Sequence, residues 1–282
     1  MRLEHGREQR LTMLGPLARR TERRQRRFRR GVYLLPSMFT LANIFCGYAC
    51  VVHAMRGEYE AAAPLIGIAM VLDILDGQIA RLTRTESAFG REFDSLADVI
   101  SFGIAPAVLV FSWGLGPLGR LGWAAGFIFV TAAAMRLARF NIQTATDKRY
   151  FVGMPSPAAA AVPAATVFTF PVGPPDYRGA LVVLAVVLIP AFLMVSTIRF
   201  RSFKTVDLQA KRSYTVLILI AIGLVAIATH PRPVLVVMAY TYLASGLVGV
   251  VISRLKRRQP EVAAAPSSSK ESTKAGEGGS PL

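Results

Sequence analysis

Cysteine and histidine are scarce in this chain of 282 residues. The two cysteines, Cys46 and Cys50, lie four residues apart inside one apolar run. They form neither a disulfide framework nor a cysteine-based metal pattern, and we interpret them as small apolar side chains. The three histidines, His5, His53 and His230, have no sequence neighbours that would form a catalytic pair. The chemistry of this protein must therefore rest on other residue types.

Charge is also limited, since 18% of the residues are charged while 53% are hydrophobic. The apolar residues form blocks of about 20 residues, the length at which a helix crosses the hydrocarbon core of a bilayer. Lipid offers the backbone no hydrogen bonds, so such blocks are expected to be helical. We predict an all-α integral membrane protein with eight spans, near residues 34–54, 61–82, 96–113, 121–140, 155–170, 180–198, 214–229 and 233–252.

Acidic residues are few, with 17 Asp and Glu against 33 Lys and Arg, for a net charge of +16. Such an excess can indicate nucleic acid binding, but the positions of the charges argue against it. Twenty-nine basic residues lie before the first span, after the last, or in loops on the same predicted side of the membrane. This distribution indicates that both termini are cytoplasmic. We expect no cleavable signal peptide, because the first apolar run follows a highly charged segment of about 30 residues.

Three regions follow from this composition. Residues 1–30 form a basic cytoplasmic arm in which "RRTERRQRRFRR" is either an amphipathic helix against anionic headgroups or only an orientation signal. Residues 31–258 form a transmembrane catalytic domain. Residues 259–282, rich in Pro, Ser, Gly and Ala, are expected to be disordered.

The stretch "DILDGQIARLTRTESAFGREFDSLAD", residues 73–98, brings concentrated charge to the edge of two apolar spans. At about 100° per residue, one face of the second helix carries two acids, two small residues and an arginine. These are Asp73, Asp76, Gly77, Ala80 and Arg81.

The third helix repeats this arrangement. By the same pitch, Asp94, Asp98 and Gly90 fall within about 80° of one another. Two antiparallel helices joined by a short loop would bring the two acidic faces together at the cytoplasmic end.

Converging carboxylates raise one another's energy unless cations balance them. Mg²⁺ and Mn²⁺ prefer oxygen ligands, and two such ions form a common clamp for displacement at phosphorus. Gly77 and Ala80 leave room for a bulky ligand, and Arg81 can pair with a phosphate. An ion or proton pathway in a transporter is the alternative that the chemistry leaves open.

The spacing D73-x2-D76-G77-x2-A80-R81-x8-G90-x3-D94-x3-D98 resembles the motif of the CDP-alcohol phosphatidyltransferase family. The resemblance implies a fold with a six-helix core, to which our last two spans would be additions. It implies release of CMP from a CDP-linked donor with two divalent ions, Mg²⁺ or Mn²⁺.

The resemblance also implies a role for each position of the motif. Metal would be bound by Asp73, Asp76, Asp94 and Asp98, and Asp98 would also be the general base. The donor CDP-diacylglycerol would contact Asp73, Gly77, Ala80, Arg81 and Asp94, and Gly90 would permit close packing at the loop.

The segments "LPSMFTLANIFCGY", "FDSLADVISFGIAPA", "MRLARFN" and "FVGMPSPAAA" resemble the serine-using bacterial branch of that family. The implied reaction joins CDP-diacylglycerol and L-serine to give phosphatidylserine and CMP, in a homodimer. Inositol phosphate, glycerol phosphate and choline are the alternative acceptors.

Three polar residues lie at the cytoplasmic end of the fourth predicted span. Arg136, Arg139 and Asn141 are candidates for binding the serine carboxylate or a donor phosphate. The two arginines, three residues apart, share a helix face. The alternative is that they serve only the charge asymmetry of the loops.

The charge asymmetry makes a testable topology prediction. A reporter fused after Arg258, or placed within residues 83–89, should be cytoplasmic, and a tag within residues 171–177 should be reachable from outside. The measurement is labelling of intact cells with an impermeant reagent. Labelling within residues 83–89 would contradict both the topology and a cytoplasmic active site.

Overall fold

The computed structural model describes residues 37–83, 87–142, 150–196, 199–201 and 213–257. The basic arm of residues 1–30 and the tail of residues 259–282 lie outside the described residues. Within the described ranges the chain forms eight helices, one at each of the eight predicted spans, although two of them are shorter than a span requires. They are α1 (Ser37–Met55), α2 (Tyr59–Thr83), α3 (Ala88–Leu118), α4 (Arg120–Ile142), α5 (Ser156–Thr169), α6 (Tyr177–Val195), α7 (Ser213–Thr229) and α8 (Pro231–Arg257).

Six of these described helices are long and apolar enough to cross a membrane. The exceptions are α5, with 14 residues, and α7, with 17. The protein is thus an all-α, multi-pass membrane protein, as the sequence predicts.

Helix α5 lies in the middle of the bundle. It packs against α2, α3, α6 and α8, and eight of its 14 residues are buried. A helix that is enclosed on all sides must be apolar around its whole circumference. Its sequence, "SPAAAAVPAATVFT", also uses small side chains, which let the neighbouring helices approach closely.

Helix α3 differs from its predicted boundaries. It begins at Ala88, where the Ser87 hydroxyl accepts a hydrogen bond from the Gly90 N–H at 2.9 Å, and it runs to Leu118. Its course includes two π-helical stretches, Val99–Ile104 and Phe111–Leu115. Hydropathy detects only the apolar middle of such a helix, so the predicted span of residues 96–113 left out its polar first turns, although the helical pitch places Gly90 and Asp94 on the same helix.

A two-stranded antiparallel ribbon joins the segments that follow α4 and α6. Strand β1 (Tyr150–Val152) pairs with β2 (Arg199–Arg201), with Phe151 opposite Phe200. Next to it, Gly153 has a φ of +86°, and a Cβ there would lie 2.5 Å from the Met194 carbonyl oxygen. The ribbon therefore ends at a position that favours glycine on both conformational and steric grounds. Our sequence interpretation did not include these strands.

Helix α1 packs closely against α3 through a glycine. A Cβ on Gly47 would lie 2.6 Å from the Ser101 hydroxyl and 2.9 Å from the Ser101 Cα. The Ser101 hydroxyl in turn donates a hydrogen bond to the Asn43 carbonyl oxygen at 2.9 Å. This contact fixes how α1 faces α3 at the end of the bundle where the acidic residues lie.

We expect Gly47→Ala to destabilise the protein by about 1–3 kcal/mol, since the added methyl group must displace backbone. The matched control is Gly67→Ala on α2, where a Cβ would meet no described atom within 4 Å. Its midpoint of thermal unfolding in detergent should stay the same or rise, because alanine favours helix. Equal midpoints for the two variants would contradict the close contact.

Candidate active site

The acidic faces of α2 and α3 meet, as the helical pitch predicts. One carboxylate oxygen from each of Asp73, Asp94 and Asp98 lies within 4.8 Å of the other two. Asp98 is 9% exposed, and the other two are half-buried. Three negative charges are thereby gathered where α2 ends and α3 begins.

Asp76 lies beside this trio rather than within it. The side chain is 5% exposed and accepts a hydrogen bond from the Thr40 hydroxyl of α1. Asp76 is nevertheless close enough to Asp73 and Asp94 for the carboxylates to repel one another. The prediction of a fourth ligand at Asp76 therefore stays a prediction, and the geometry adds Thr40 as its partner.

Hydrogen-bonding capacity is left unused at the centre of the site. Within the described part of the chain, four buried side-chain atoms have no hydrogen-bond partner: Oδ1 of Asp94, Oδ1 of Asp98, and both Oδ1 and Nδ2 of Asn43. All four belong to this site, since Asn43 interacts with Asp98 without an aligned hydrogen bond. Buried polar groups are normally paired, so such a group calls for a specific explanation.

The carboxylates fit a hard divalent cation. Their donor atoms are all oxygens, they converge from two rigid helices, and two of these oxygens are buried without a partner. Mg²⁺ and Mn²⁺ prefer such ligands. An acidic cluster able to hold a metal ion is therefore present.

A half-buried arginine of α4 faces the carboxylates. Arg136 donates a hydrogen bond to the Ser156 hydroxyl, on the first turn of α5, at 2.6 Å. Its charge acts on Asp98 and Asp73, and on the phenol of Tyr242 from α8. Of the three acceptor-binding candidates, Arg136 is the one placed at the carboxylate cluster.

The other two candidates lie nearer the end of α4. Asn141 donates hydrogen bonds to the Ser95 hydroxyl at 3.0 Å and to the Glu92 carboxylate at 3.3 Å, so it joins α4 to α3. Arg139 is half-buried. A substrate-binding role for either stays a prediction.

The first half of the motif forms the opening of the site. Around Gly77, a Cβ would meet one described atom within 4 Å, the Arg81 Nη2 at 3.9 Å. Arg81 is exposed and donates from Nε to the Gly77 carbonyl at 2.8 Å, while Ala80 is half-buried. This arrangement leaves space along α2 beside Asp73, with a cation at its edge.

Gly90 lies in the first turn of α3. A Cβ at this position would lie 3.0 Å from the Ser87 hydroxyl. The closest neighbour of Gly90 is therefore the capping residue of its own helix, and its predicted packing role at the loop stays a prediction.

Sequence reasoning missed Thr40 and Asn43. The sequence signal that could have identified them is their spacing. They are polar, lie three residues apart and so share one helix face, within the apolar α1 segment "SMFTLANIFCGYACVVHAM". Polar residues on one face of a membrane span usually face the bundle interior or a cavity.

Comparisons with known proteins agree with this geometry. Residues 33–191 match the CDP-alcohol phosphatidyltransferase family. A relative from Helicobacter pylori strain J99, named CDP-diacylglycerol–serine O-phosphatidyltransferase, is 38% identical over 80% of this chain and 94% of its own length. A Mycobacterium leprae protein of the same name is 33% identical over 77% of this chain and 75% of its own length.

A third relative is an archaetidylserine synthase from Methanothermobacter thermautotrophicus. It is 38% identical over 128 residues, which are 45% of this chain and 54% of that protein. The family match extends from before α1 into α6 and includes every residue of the acidic cluster. The chain belongs to the CDP-alcohol phosphatidyltransferase family.

Proposed function

We propose that this protein transfers the phosphatidyl group of CDP-diacylglycerol to the hydroxyl of L-serine, forming phosphatidylserine and CMP. The observation that carries the proposal is the cluster of Asp73, Asp94 and Asp98 facing the half-buried Arg136. A phosphatidyl donor has acyl chains in the leaflet and a diphosphate at headgroup level. The cluster lies near the ends of two spans, a suitable depth for that diphosphate.

The relatives support serine as the acceptor. The Helicobacter and Mycobacterium proteins are named for CDP-diacylglycerol and serine, and the archaeal protein is named for archaetidylserine. The names refer to different lipids, but each of them includes serine. Inositol phosphate, glycerol phosphate and choline are therefore less favoured, and an ion-coupled transporter has no support among these relatives.

The family generally uses a divalent metal. In this chain Asp73, Asp76, Asp94 and Asp98 would hold two ions, Mg²⁺ or Mn²⁺. Four carboxylates and two divalent ions would balance in charge. When bound, the ions would offset the negative charge of the diphosphate and of the departing CMP.

The donor would lie against α2. The open space at Gly77 and Ala80 would accept the CDP portion, and the exposed Arg81 would pair with a phosphate through its planar guanidinium. Asp73 and Asp94 would border the same site from the two helices.

The chemical step needs a base at the acceptor hydroxyl. Asp98 would take the hydroxyl proton while the serine oxygen forms a bond to the phosphorus that carries the diacylglycerol group. The bond from that phosphorus to the oxygen of CMP breaks, and CMP leaves with the electron pair. Arg136, close enough to act on Asp98, would bind the serine carboxylate.

Free serine and released CMP are cytosolic solutes, so the site would open to the cytoplasm of a bacterial inner membrane. The positive-inside pattern supports that orientation. We also propose a homodimer, on the family resemblance alone.

The acceptor assignment is testable with an acceptor panel. CMP release from CDP-diacylglycerol should be far faster with L-serine than with inositol phosphate, glycerol phosphate or choline. Arg136→Ala should raise the KM for serine by about tenfold or more, because a charged hydrogen bond is worth about 1.5–3 kcal/mol. Arg139→Ala is the comparison variant, and its KM should change less. If both variants keep wild-type serine kinetics, the two arginines do not bind serine and serve only the charge asymmetry of the loops.

The role of Asp98 is tested by comparing three carboxylates. Asp98→Asn keeps the shape but loses most basicity, so kcat should fall by about 10²–10⁴-fold while CDP-diacylglycerol binding is largely retained. Asp73→Asn and Asp76→Asn should also weaken metal and donor binding. The measurements are kcat, metal dependence and donor affinity of the purified variants.

Two results would contradict that separate role. One is near wild-type turnover by Asp98→Asn. The other is an equal loss of metal affinity in all three variants, which would make Asp98 a metal ligand like the others.

A further inference from the structure

Asn43 is a buried amide with unused hydrogen-bonding capacity. It is 0% exposed, and neither its Oδ1 nor its Nδ2 makes a well-aligned hydrogen bond with a described residue, although the amide lies against Asp98. Leaving a buried polar group without a well-aligned partner is unfavourable. Besides carboxylate oxygens, these are the only described buried side-chain atoms in that condition, and they lie beside Asp98.

The position of Asn43 is held by three neighbouring contacts. Its carbonyl oxygen accepts the hydrogen bond from Ser101, and one turn later Gly47 packs against the same serine. One turn earlier, Thr40 donates to Asp76. This face of α1 cannot rotate away from the acidic cluster without breaking those contacts, so the amide is fixed in the site.

We propose that Asn43 binds the acceptor amino acid: its Oδ1 accepts a hydrogen bond from the ammonium group, and its Nδ2 donates to Asp98. This inference rests on the proposed function, because it assumes an amino acid acceptor. It assigns to α1 a specificity-determining residue outside the acidic motif.

The chemistry of serine explains why the two side chains should be neighbours. The hydroxyl and the ammonium of serine lie on adjacent carbons. When Asp98 takes the hydroxyl proton, the ammonium must therefore lie close to Asp98, and it needs a hydrogen-bond acceptor there. Asn43 supplies that acceptor without adding a further negative charge to the cluster. Arg136 faces Asp98 as well and would receive the carboxylate.

The test compares Asn43→Leu, of similar volume but apolar, with the wild-type protein in detergent. We expect the KM for L-serine to rise by about tenfold or more, as for loss of one charged hydrogen bond. The KM for CDP-diacylglycerol and the metal concentration dependence should stay near wild type. Asn43→Asp keeps an acceptor oxygen, so its KM for serine should stay closer to wild type while kcat falls.

Gly67→Ala on α2 is the control, because a Cβ there would meet no described atom within 4 Å. It should keep or raise the thermal midpoint and leave the KM for serine within about twofold, a change below 0.5 kcal/mol. Ser101→Ala removes the hydrogen bond to the backbone of Asn43, so it should lower the thermal midpoint and raise the KM for serine less than Asn43→Leu does.

Several outcomes would overturn the proposal. They are an unchanged serine KM in both Asn43 variants, an equal rise in both substrates' KM, a shifted metal dependence in Asn43→Leu, or a serine KM in Gly67→Ala that rises as much as in Asn43→Leu. Failure of the proposed function would look different, since wild-type protein would then prefer another alcohol over serine.

Discussion

Mutual repulsion among the carboxylates is the constraint on which the rest of this structure depends. Asp73, Asp94 and Asp98 place oxygens within 4.8 Å of one another in a partly buried site. Water cannot fully solvate such charges there, so nearby positive charge must compensate for them. Arg136 supplies one positive charge. The carboxylates converge from two helices, α2 and α3, and a Cβ at Gly77 on α2 would meet only the Arg81 Nη2 among described atoms within 4 Å.

Helical pitch alone predicted much of this site. Asp73 and Asp94 lie 21 residues apart in sequence, yet the 3.6-residue period placed each on an inward face, and a short connection brought the faces together. The apolar blocks likewise predicted all eight described helices. Both predictions succeed because they depend on local periodicity and on the absence of hydrogen-bond partners in lipid.

Other parts depend on contacts that no local pattern contains. Thr40 meets Asp76 across 36 residues, and Ser101 meets the Asn43 backbone across 58. Such pairs depend on which face of α1 turns inward, and this is decided by the packing of Gly47 against α3. The central position of α5 was likewise not evident from its own sequence, because an alanine-rich apolar segment can be enclosed or lie at the edge of a bundle. The π-helical stretch directly after Asp98 also depends on the tertiary setting of α3.

The two sides of the site are built differently, and this explains what the motif does and does not reveal. The side proposed for the donor comes from 26 consecutive residues on α2 and α3. The side proposed for the acceptor is assembled from α1, α4 and α5, with Arg136 bonded to Ser156. Helix α8 lies outside the residues that match the family. Its Tyr240 hydroxyl is 3.0 Å from the Thr166 hydroxyl of α5, and its Tyr242 lies near Arg136. A compact motif can therefore identify the shared donor chemistry, whereas the choice of acceptor depends on side chains far apart in the chain.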